Sequence, residues 1–225
     1  MSQICLPLGI DNKELEKLEK LIDPPTTKHP GDSIFHQGEA FSKIFAVKSG
    51  LLKSVRVDEL GNEHVVGFHL AGELVGLDGI YQQQYSSETS ALDTTVLCEM
   101  NYSKLTELCS SIPALQKQLL RLLSRDIVES QISNASIAKQ TAKQKVSNFL
   151  HNLSLRYEVR GFGGTEFRLS MSRQDMANHL GITPETASRV LKILSQEGVI
   201  KLNGRHVAIL NSVKLDSIIQ CSPAE

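Results

Sequence analysis

The spacing of apolar side chains changes twice along the chain, and each pattern is typical of a different structure. In DNKELEKLEKLID (residues 11–23), leucines and an isoleucine recur at three- and four-residue intervals, as on one face of a short helix. Pro24 and Pro25 follow, and proline does not continue a helix. The pattern therefore predicts a short helix that ends before Pro24.

Residues 30 to 100 consist of short apolar runs separated by glycines. The runs are rich in Val, Ile, Leu, Phe and Thr, as in KIFAVKSG (43–50), LLKSVRV (51–57), HVVGFHL (64–70) and TTVLCEM (94–100). ELGNEH (59–64) has the composition of a hairpin turn. Together these features predict an antiparallel β-sandwich or barrel.

After Pro113 no glycine occurs until Gly161, and the pattern predicts helix from Ala114 to about residue 156, with a break before its second half. An apolar seam with a polar centre runs through it at alternating three- and four-residue spacing: Leu120, Leu123, Ile127, Ser130, Asn134 and Ile137. This is coiled-coil spacing, so we expect a homodimer helix. A second stripe, Leu119, Leu122 and Val128, would then face the β region. The alternative is a helix that only covers its own domain.

Residues 171–211 contain the capping signals of two short helices. Ser172 and Asp175 form an S-x-x-D capping box, and Gly181 suits the left-handed position that ends the first helix. Thr183 is a suitable N-cap for the second helix, with Pro184 at its first position. Two helices joined by about three residues that include glycine predict a helix-turn-helix.

The second helix separates into two stripes. Its apolar stripe would face a core and consists of Ala187, Val190, Leu191 and Leu194. Its polar stripe consists of Glu185, Ser188, Arg189 and Lys192. A generic surface helix also has a polar face, but arginine can read guanine and glutamate can accept from cytosine. Both lie in the N-terminal half of the helix, where major-groove readers make their contacts.

The next stretch, GVIKLNGRHVAILN (198–211), predicts a two-stranded hairpin that turns at Asn203-Gly204. Such a wing would present Lys201 and Arg205 to phosphates. Charge agrees with a polyanionic partner for this part of the chain. Residues 1–138 hold 12 Lys and Arg against 18 Asp and Glu, whereas residues 139–225 hold 12 against 7.

The stretch LSMSRQDMANHLGITPETASRVLKILSQEGVI (169–200) is similar to the helix-turn-helix signature of the CRP/FNR family of bacterial transcription regulators. ETASR (185–189) matches the E-x-x-S-R pattern of its FNR branch, and GFHLAGELVG (67–76), VLCEM (96–100) and SQICLPL (2–8) extend the resemblance over nearly the whole chain. The resemblance implies an α+β protein. Its parts would be a double-stranded β-helix sensor like cyclic-nucleotide-binding jelly rolls (1–112), a dimerisation helix (113–140) and a winged helix-turn-helix (141–225).

The resemblance also implies a site and partners. A homodimer would read a palindromic double-stranded DNA site resembling TTGAT-N4-ATCAA, with base contacts from Glu185, Ser188 and Arg189. The DNA backbone contacts that we expect are Ser172, Arg173, Thr183, Thr186, Lys192, Lys201 and Arg205. The loop from Arg56 to His64 would be a candidate contact for RNA polymerase.

The signal sensed by the β domain stays open. Cyclic-nucleotide binders of the family pair an arginine with the cyclic phosphate, and Thr89 stands at that place here, so we expect no cAMP binding. FNR proteins hold a [4Fe–4S] cluster through four cysteines, of which only Cys5 and Cys98 have counterparts. We therefore expect no intact cluster, and the cofactor is unknown.

Three interpretations of Cys5 and Cys98 remain. They are leftover thiols with Cys98 buried in a strand, a redox-active pair, or part of an incomplete cluster with other ligands. A regulator that senses a small ligand in the β domain is a further alternative. His69 is interpreted as a satisfied core histidine rather than a haem ligand.

Composition excludes several other classes. Hydrophobic residues make up 40% and charged residues 22% of the chain, as in globular proteins. Four cysteines without short repeated spacing are not a disulfide framework, and no segment has the pattern of a leader or membrane span, so we expect a cytoplasmic protein without a membrane partner. Metal-site, nucleophile-elbow and kinase motifs do not occur, and RGFGG (160–164) is not a phosphate loop. We expect no metal ligands and no catalytic residues; an enzyme with a cupin-like β domain is the alternative.

Overall fold

The computed structural model describes residues 16, 20, 22–137 and 140–220. At residues 126, 129, 130 and 132–137 it describes the backbone alone. The predicted helix over residues 11–23 lies mostly outside the described residues, and Cys5 and Cys221 lie outside them as well. The chain divides into two compact units, Met1–Ser130 and Gln131–Glu225.

Two antiparallel four-stranded sheets form the first unit. Their strands are β1 (Thr26–Lys28), β2 (Ser33–Phe35), β3 (Lys43–Ser49), β4 (Leu51–Val57), β5 (Glu63–Leu70), β6 (Leu74–Val75), β7 (Glu88–Ala91) and β8 (Thr95–Asn101). The strand orders are β1-β8-β3-β6 and β2-β7-β4-β5. The chain passes repeatedly from one sheet to the other, as in a jelly roll. The predicted antiparallel β-sandwich is confirmed.

Both sheets contribute to one apolar core. Ile44 and Leu97 come from one sheet, Phe35 and Leu52 from the other, and all four are fully buried. Tyr85 follows the short helix α1 (Gly79–Gln82) and stacks on Phe35, with ring centroids 4.0 Å apart. Its hydroxyl donates to the Lys43 carbonyl at 2.8 Å. Each large side chain buried in this way stabilises the fold by about 1.5–3 kcal/mol.

Two helices follow directly after the last strand of the sheets. Asn101 caps α2 (Tyr102–Ser111) by accepting from the Lys104 amide at 3.1 Å, and α3 (Pro113–Ile137) comes next. Leu119 and Leu122 pack against the β core, as predicted for the second stripe. Val128 does not. It is 48% exposed, because the contact between α3 and the β core ends at Leu122 among the described residues.

The predicted seam lies on a more open side of α3. Leu120 is 59% and Ile127 58% exposed, and Leu123 is half-buried. At Ser130, Asn134 and Ile137 the structure describes the backbone alone, and it is helical there. Although α3 has 25 residues, no helix of the described part of the chain is long and apolar enough to cross a lipid bilayer.

The second unit contains the predicted break and the helix-turn-helix. A capping box of Thr141 and Gln144 begins α4 (Ala142–Val159). The remaining elements are β9 (Glu166–Arg168), α5 (Arg173–Leu180), α6 (Pro184–Gln196), β10 (Ile200–Asn203), β11 (His206–Ile209) and α7 (Ser212–Gln220). Buried side chains of α4 and α6, including Leu150 and Leu191, lie in the interior of this unit.

The wing departs from the prediction in two details. Its sheet has the order β10-β11-β9, so it has three strands rather than two. The third strand forms because Phe167 alternates with polar neighbours and pairs with Val207, on the buried side of the sheet. Asn203 pairs with His206, so the turn residues are Gly204 and Arg205 rather than Asn203 and Gly204. Gly204 has a φ of +59°, as the first position of a type II′ turn requires.

Candidate nucleic-acid interface

The first helix of the motif, α5, begins and ends where its capping residues predict. The Asp175 amide donates to Ser172 Oγ at 2.9 Å, and the Ser172 amide donates to Asp175 Oδ2 at 3.2 Å. Gly181 ends the helix with a φ of +61°, a conformation that costs glycine little. The chain can therefore turn sharply into the next helix.

The second helix, α6, is fixed at its start by Thr183. Thr183 Oγ1 accepts from the Thr186 amide at 3.2 Å, which satisfies one of the free N–H groups of the first turn. Pro184 occupies the first helical position, where its missing N–H has no cost. The helix N-terminus is thus rigidly placed beside the end of α5.

The two stripes of α6 differ in exposure as their spacing predicts. The apolar positions are buried: Ala187, Val190, Leu191 and Leu194. The polar positions Glu185, Ser188, Arg189 and Lys192 are all exposed. One face of α6 therefore anchors the helix in the unit, and the other presents a carboxylate, a hydroxyl and two cationic groups to solvent.

A pair of guanidinium groups lies where the wing turn meets the start of α5. Arg173 Nη2 donates to the Gly204 carbonyl at 3.5 Å, and Arg205 Nη1 donates to the Ser170 carbonyl at 3.1 Å. Burial, together with the positive charge of Arg205, lowers the pKa of Arg173. No carboxylate among the described residues forms an ion pair with either group. Two cations held side by side by carbonyl oxygens suit an anion such as a phosphate.

Comparison with known proteins identifies the two units. A family model for a Crp-like helix-turn-helix domain matches residues 144–218, and one for a cyclic nucleotide-binding domain matches residues 26–111. The transcriptional activator protein anr of Pseudomonas aeruginosa is 39% identical over 215 residues, which cover 96% of this chain and 88% of that protein. The chain belongs to the CRP/FNR family of transcription regulators. It is a DNA-binding regulator and not an enzyme.

A second relative agrees in sequence, and a solved structure agrees in fold. The fumarate and nitrate reduction regulatory protein of Vibrio cholerae is 37% identical over 215 residues, covering 96% of this chain and 86% of that protein. The structure of FixK2 from Bradyrhizobium japonicum has a TM-score of 0.79 at 22% identity, covering 90% of this chain and 98% of FixK2. The family resemblance and the fold class predicted from the sequence are confirmed.

Sequence reasoning missed two groups at this interface. Arg168 in β9 and His206 in β11 are paired across the wing sheet, and both are exposed. The alternation of exposed Glu166, buried Phe167 and exposed Arg168 was the available signal. Three residues are short for a strand, however, and only pairing with β11 makes them one. The wing sheet therefore presents Arg168 and His206 to solvent in addition to Lys201 and Arg205.

The N-terminal unit of this CRP/FNR regulator has neutral groups at the place where the family resemblance puts the arginine of cyclic-nucleotide binders. Thr89 in β7 is fully buried, and its hydroxyl lies 2.6 Å from Ser54 Oγ. Ser54 Oγ lies in turn 2.8 Å from His69 Nε2. The interpretation of His69 as a satisfied core histidine is right about its hydrogen bond, but the side chain is half-buried rather than in the core. This network offers hydroxyl and imidazole groups but no guanidinium at Thr89.

The described cysteines are buried to different degrees. Cys98 is half-buried in β8 opposite Ala46, and burial raises the pKa of its thiol, although Lys48 acts in the opposite direction. Cys109 is only 7% exposed within the core cluster, and burial raises its pKa too. Within residues 22–137 and 140–220, no group of three or more His, Cys, Asp or Glu side chains could hold a metal ion. The pairing of Cys98 with Cys5 stays a prediction, because Cys5 lies outside the described residues.

The loop from Arg56 to His64 is an ordered hairpin. β4 and β5 pair up to Val57 and Glu63, and Gln37 accepts from the Val57 amide and donates to its carbonyl. Asp58 Oδ1 accepts from the amides of Leu60 and Asn62, each at 2.9 Å. At the tip, Leu60 is 87% exposed. The hairpin predicted from ELGNEH is confirmed, and its tip presents an apolar side chain to solvent.

Proposed function

We propose that this regulator binds, as a homodimer in the cytoplasm, a palindromic DNA site resembling TTGAT-N4-ATCAA. The observation that carries the proposal is the exposed polar face of α6 together with the guanidinium pair of Arg173 and Arg205. A helix of this kind fits the major groove, and a wing fits the adjoining backbone. The FNR-type pattern ETASR favours this half-site.

In this proposal three residues of α6 contact base edges. Arg189 donates two hydrogen bonds to guanine, Glu185 accepts from the amino group of cytosine, and Ser188 contacts a neighbouring base. Their exposure near the N-terminal half of α6 supports these roles. Each bidentate contact of this type contributes roughly 1–3 kcal/mol of discrimination against a wrong base.

A second set of residues contacts the DNA backbone. These are Ser172, Arg173, Thr183, Thr186, Lys192, Lys201 and Arg205. They lie at the helix starts, along α6 and on the wing, and each carries a hydroxyl or a cation. Their contacts set the position of α6 and contribute affinity that depends on salt but not on sequence.

The homodimer would form along α3. The seam is Leu120, Leu123, Ile127, Ser130, Asn134 and Ile137. Exposure of Leu120 and Ile127 in the single chain supports a partner on this side of the helix. No seam position carries a charge, so two copies meet without like-charge repulsion, and we propose that dimerisation needs no cofactor.

The residues of this chain do not fit a cluster held by four cysteines. The chain has four in all, and Cys109 would have to leave the apolar core to act as a ligand. A [4Fe–4S] cluster normally takes four thiolates. We therefore propose regulation without an intact [4Fe–4S] cluster and without cAMP. Sensing through a small ligand or through thiol oxidation at Cys5 and Cys98 is the alternative.

The exposed hairpin from Arg56 to His64 is proposed as a contact for RNA polymerase. Its order and the exposed Leu60 support a protein contact, because a rigid loop loses little entropy when it binds. Whether such a contact activates or represses depends on the promoter.

The test is binding to a duplex that carries TTGAT-N4-ATCAA, measured by fluorescence anisotropy on protein purified without oxygen, with iron and sulfide assayed on the same sample. We expect tight binding to the operator and less than one iron atom per chain. We also expect the affinity to stay the same when oxidant is added. Arg189→Ala should weaken operator binding by roughly 1–3 kcal/mol while leaving a scrambled duplex unaffected. Unchanged operator affinity in this variant would refute the docking mode. About four irons per chain would refute the proposal on the cluster.

A further inference from the structure

Three side chains at the start of α6 form a hydrogen-bonded series. Thr183 Oγ1 donates to Thr186 Oγ1 at 3.0 Å, and Arg189 Nη2 donates to the same Thr186 oxygen at 3.4 Å. The residues are three positions apart, so they lie along one face of the helix. Thr186 is thus held by the cap residue on one side and contacts the guanidinium on the other.

The carboxylate of Glu185 is a second possible partner for Arg189 on the same helix. Glu185 is four residues earlier, and an acidic residue at this position relative to an arginine is the favoured order for an ion pair on a helix surface. Yet in the structure Glu185 and Arg189, both described, form no ion pair with each other. The guanidinium is turned to the threonine hydroxyl instead.

We propose that Thr186 is a positioning residue that keeps Arg189 away from Glu185, so that both groups stay available for bases. The inference rests on the proposed function, in which Arg189 and Glu185 read opposite partners of base pairs. An intrahelical ion pair would have to break before either side chain could reach a base. Breaking it costs affinity, and most of that cost falls on the specific site.

The hydrogen-bond inventory permits this role. A guanidinium has five N–H groups, and the contact with Thr186 uses one, so four remain for a bidentate contact with guanine. Thr186 is β-branched and therefore has few side-chain rotamers, and the bond from Thr183 fixes its oxygen further. The Thr186 hydroxyl hydrogen stays available for a phosphate, so the backbone contact proposed above is compatible with the positioning role.

The two roles of Thr186 predict different results for Thr186→Val, which removes the hydroxyl but keeps the branched shape. A positioning role predicts operator affinity reduced on the order of fivefold. It also predicts reduced discrimination against an operator with the guanine replaced, so the loss of affinity for the operator exceeds the loss for a scrambled duplex, which measures the phosphate contact of the hydroxyl alone. Thr186→Ser restores the hydroxyl and should restore discrimination. An equal loss on all duplexes, or no loss at all, would overturn the inference.

A double-mutant cycle with Arg189→Ala separates this inference from the proposed function. If Thr186 acts through Arg189, Thr186→Val has no further effect on operator discrimination once Arg189 is alanine. Full additivity of the two losses would overturn the inference and leave the proposed function standing. If Arg189→Ala alone changes nothing, both fall. Thermal melts of every variant check the fold. In Thr186→Val, nuclear Overhauser contacts from the Arg189 side chain to Glu185 would show that the guanidinium has turned to the carboxylate.

Discussion

Lys43 in the N-terminal unit and the pair of Arg173 and Arg205 in the C-terminal unit are cations in opposite surroundings. In the N-terminal unit, Lys43 Nζ lies 2.7 Å from Glu99 Oε2 and 3.8 Å from Asp23 Oδ2, and the hydrogen bond that Lys43 donates to Glu99 raises the pKa of Lys43. In the C-terminal unit, Arg173 and Arg205 lie beside each other on carbonyl oxygens, and the pKa of Arg173 is lowered. The first cation is matched inside the chain. Arg173 and Arg205 have no carboxylate partner among the described residues, so their placement suits an external anion.

The difference indicates where partners bind. A carboxylate that pairs with a lysine stabilises the fold and leaves little for a ligand, whereas two adjacent guanidiniums repel each other until an anion arrives. The same logic applies to apolar groups, because Leu119 and Leu122 are covered by the core whereas Leu120 and Ile127 are exposed. Uncovered groups of either kind mark the surfaces at which we propose DNA and a second copy.

The largest effect is expected from a charge at the exposed seam. Ile127→Glu would place two carboxylates together in the dimer and desolvate them, so we expect monomers by analytical ultracentrifugation and operator affinity at least ~100-fold weaker. Thr106→Glu, on the exposed side of α2, adds the same charge away from the seam and serves as the control. A dimer that persists in Ile127→Glu would show that this exposed stripe serves another purpose.

Removing one member of the guanidinium pair should have a smaller and sequence-independent effect. We expect Arg205→Ala to weaken binding to operator and scrambled duplex alike, by about tenfold, and to reduce the salt dependence by about one ion for each subunit. Anisotropy titrations at several salt concentrations measure both quantities. Lys104→Ala, an exposed cation of the N-terminal unit, is the control and should change neither. A loss restricted to the operator would instead assign Arg205 to base reading.

The matched cation of the N-terminal unit should behave in the opposite way. Lys43→Met leaves Glu99, only 18% exposed, without its cationic partner and with the Thr26 hydroxyl as a remaining donor, so we expect the free energy of unfolding to fall by about 1 kcal/mol. The loss is modest because Lys43 itself is partly exposed. Urea unfolding followed by circular dichroism measures it, with Lys104→Met as the control. Reduced DNA affinity at unchanged stability would contradict the division of roles between the two units.

The sequence predicted the DNA-binding unit more fully than the sensor, and the reason is local. Capping by Ser172, Gly181 and Thr183 depends on neighbours within a few residues, so the sequence contains nearly all of the information. The strand β9 could not be predicted in the same way, because its three residues become a strand only through pairing with β11. Nor could the side-by-side placement of Arg173 and Arg205, which are 32 positions apart in sequence.

The interior of the N-terminal unit is harder to predict, because it depends on long-range packing and on residues without local signals. Ser54, His69 and Thr89 come from three strands, and nothing in their sequence surroundings indicates that their side chains meet. Val128 is also exposed, although it belongs to the same predicted stripe as Leu119 and Leu122, which pack against the core. Periodicity shows which face a residue is on, but it does not show how far along a helix the covering core extends.

The smallest effect concerns a carboxylate that is matched by backbone amides on the exposed hairpin. Hydrogen bonds from Asn62, first from its side chain and then from its backbone, lower the pKa of Asp58 from 3.8 to about 2. Since the folded pKa lies below the unfolded one, the turn is stabilised above about pH 4, and this contribution is lost as the pH falls through 2. We expect the Leu60 and Asn62 amide shifts to stay constant from pH 5 to about 3 and then move, and Asp58→Asn to abolish that step. A midpoint near the ordinary value of 3.8 would mean that solvent, rather than Asn62, satisfies Asp58. The hairpin would then lack the internal hydrogen bonds to Asp58 that the structure shows.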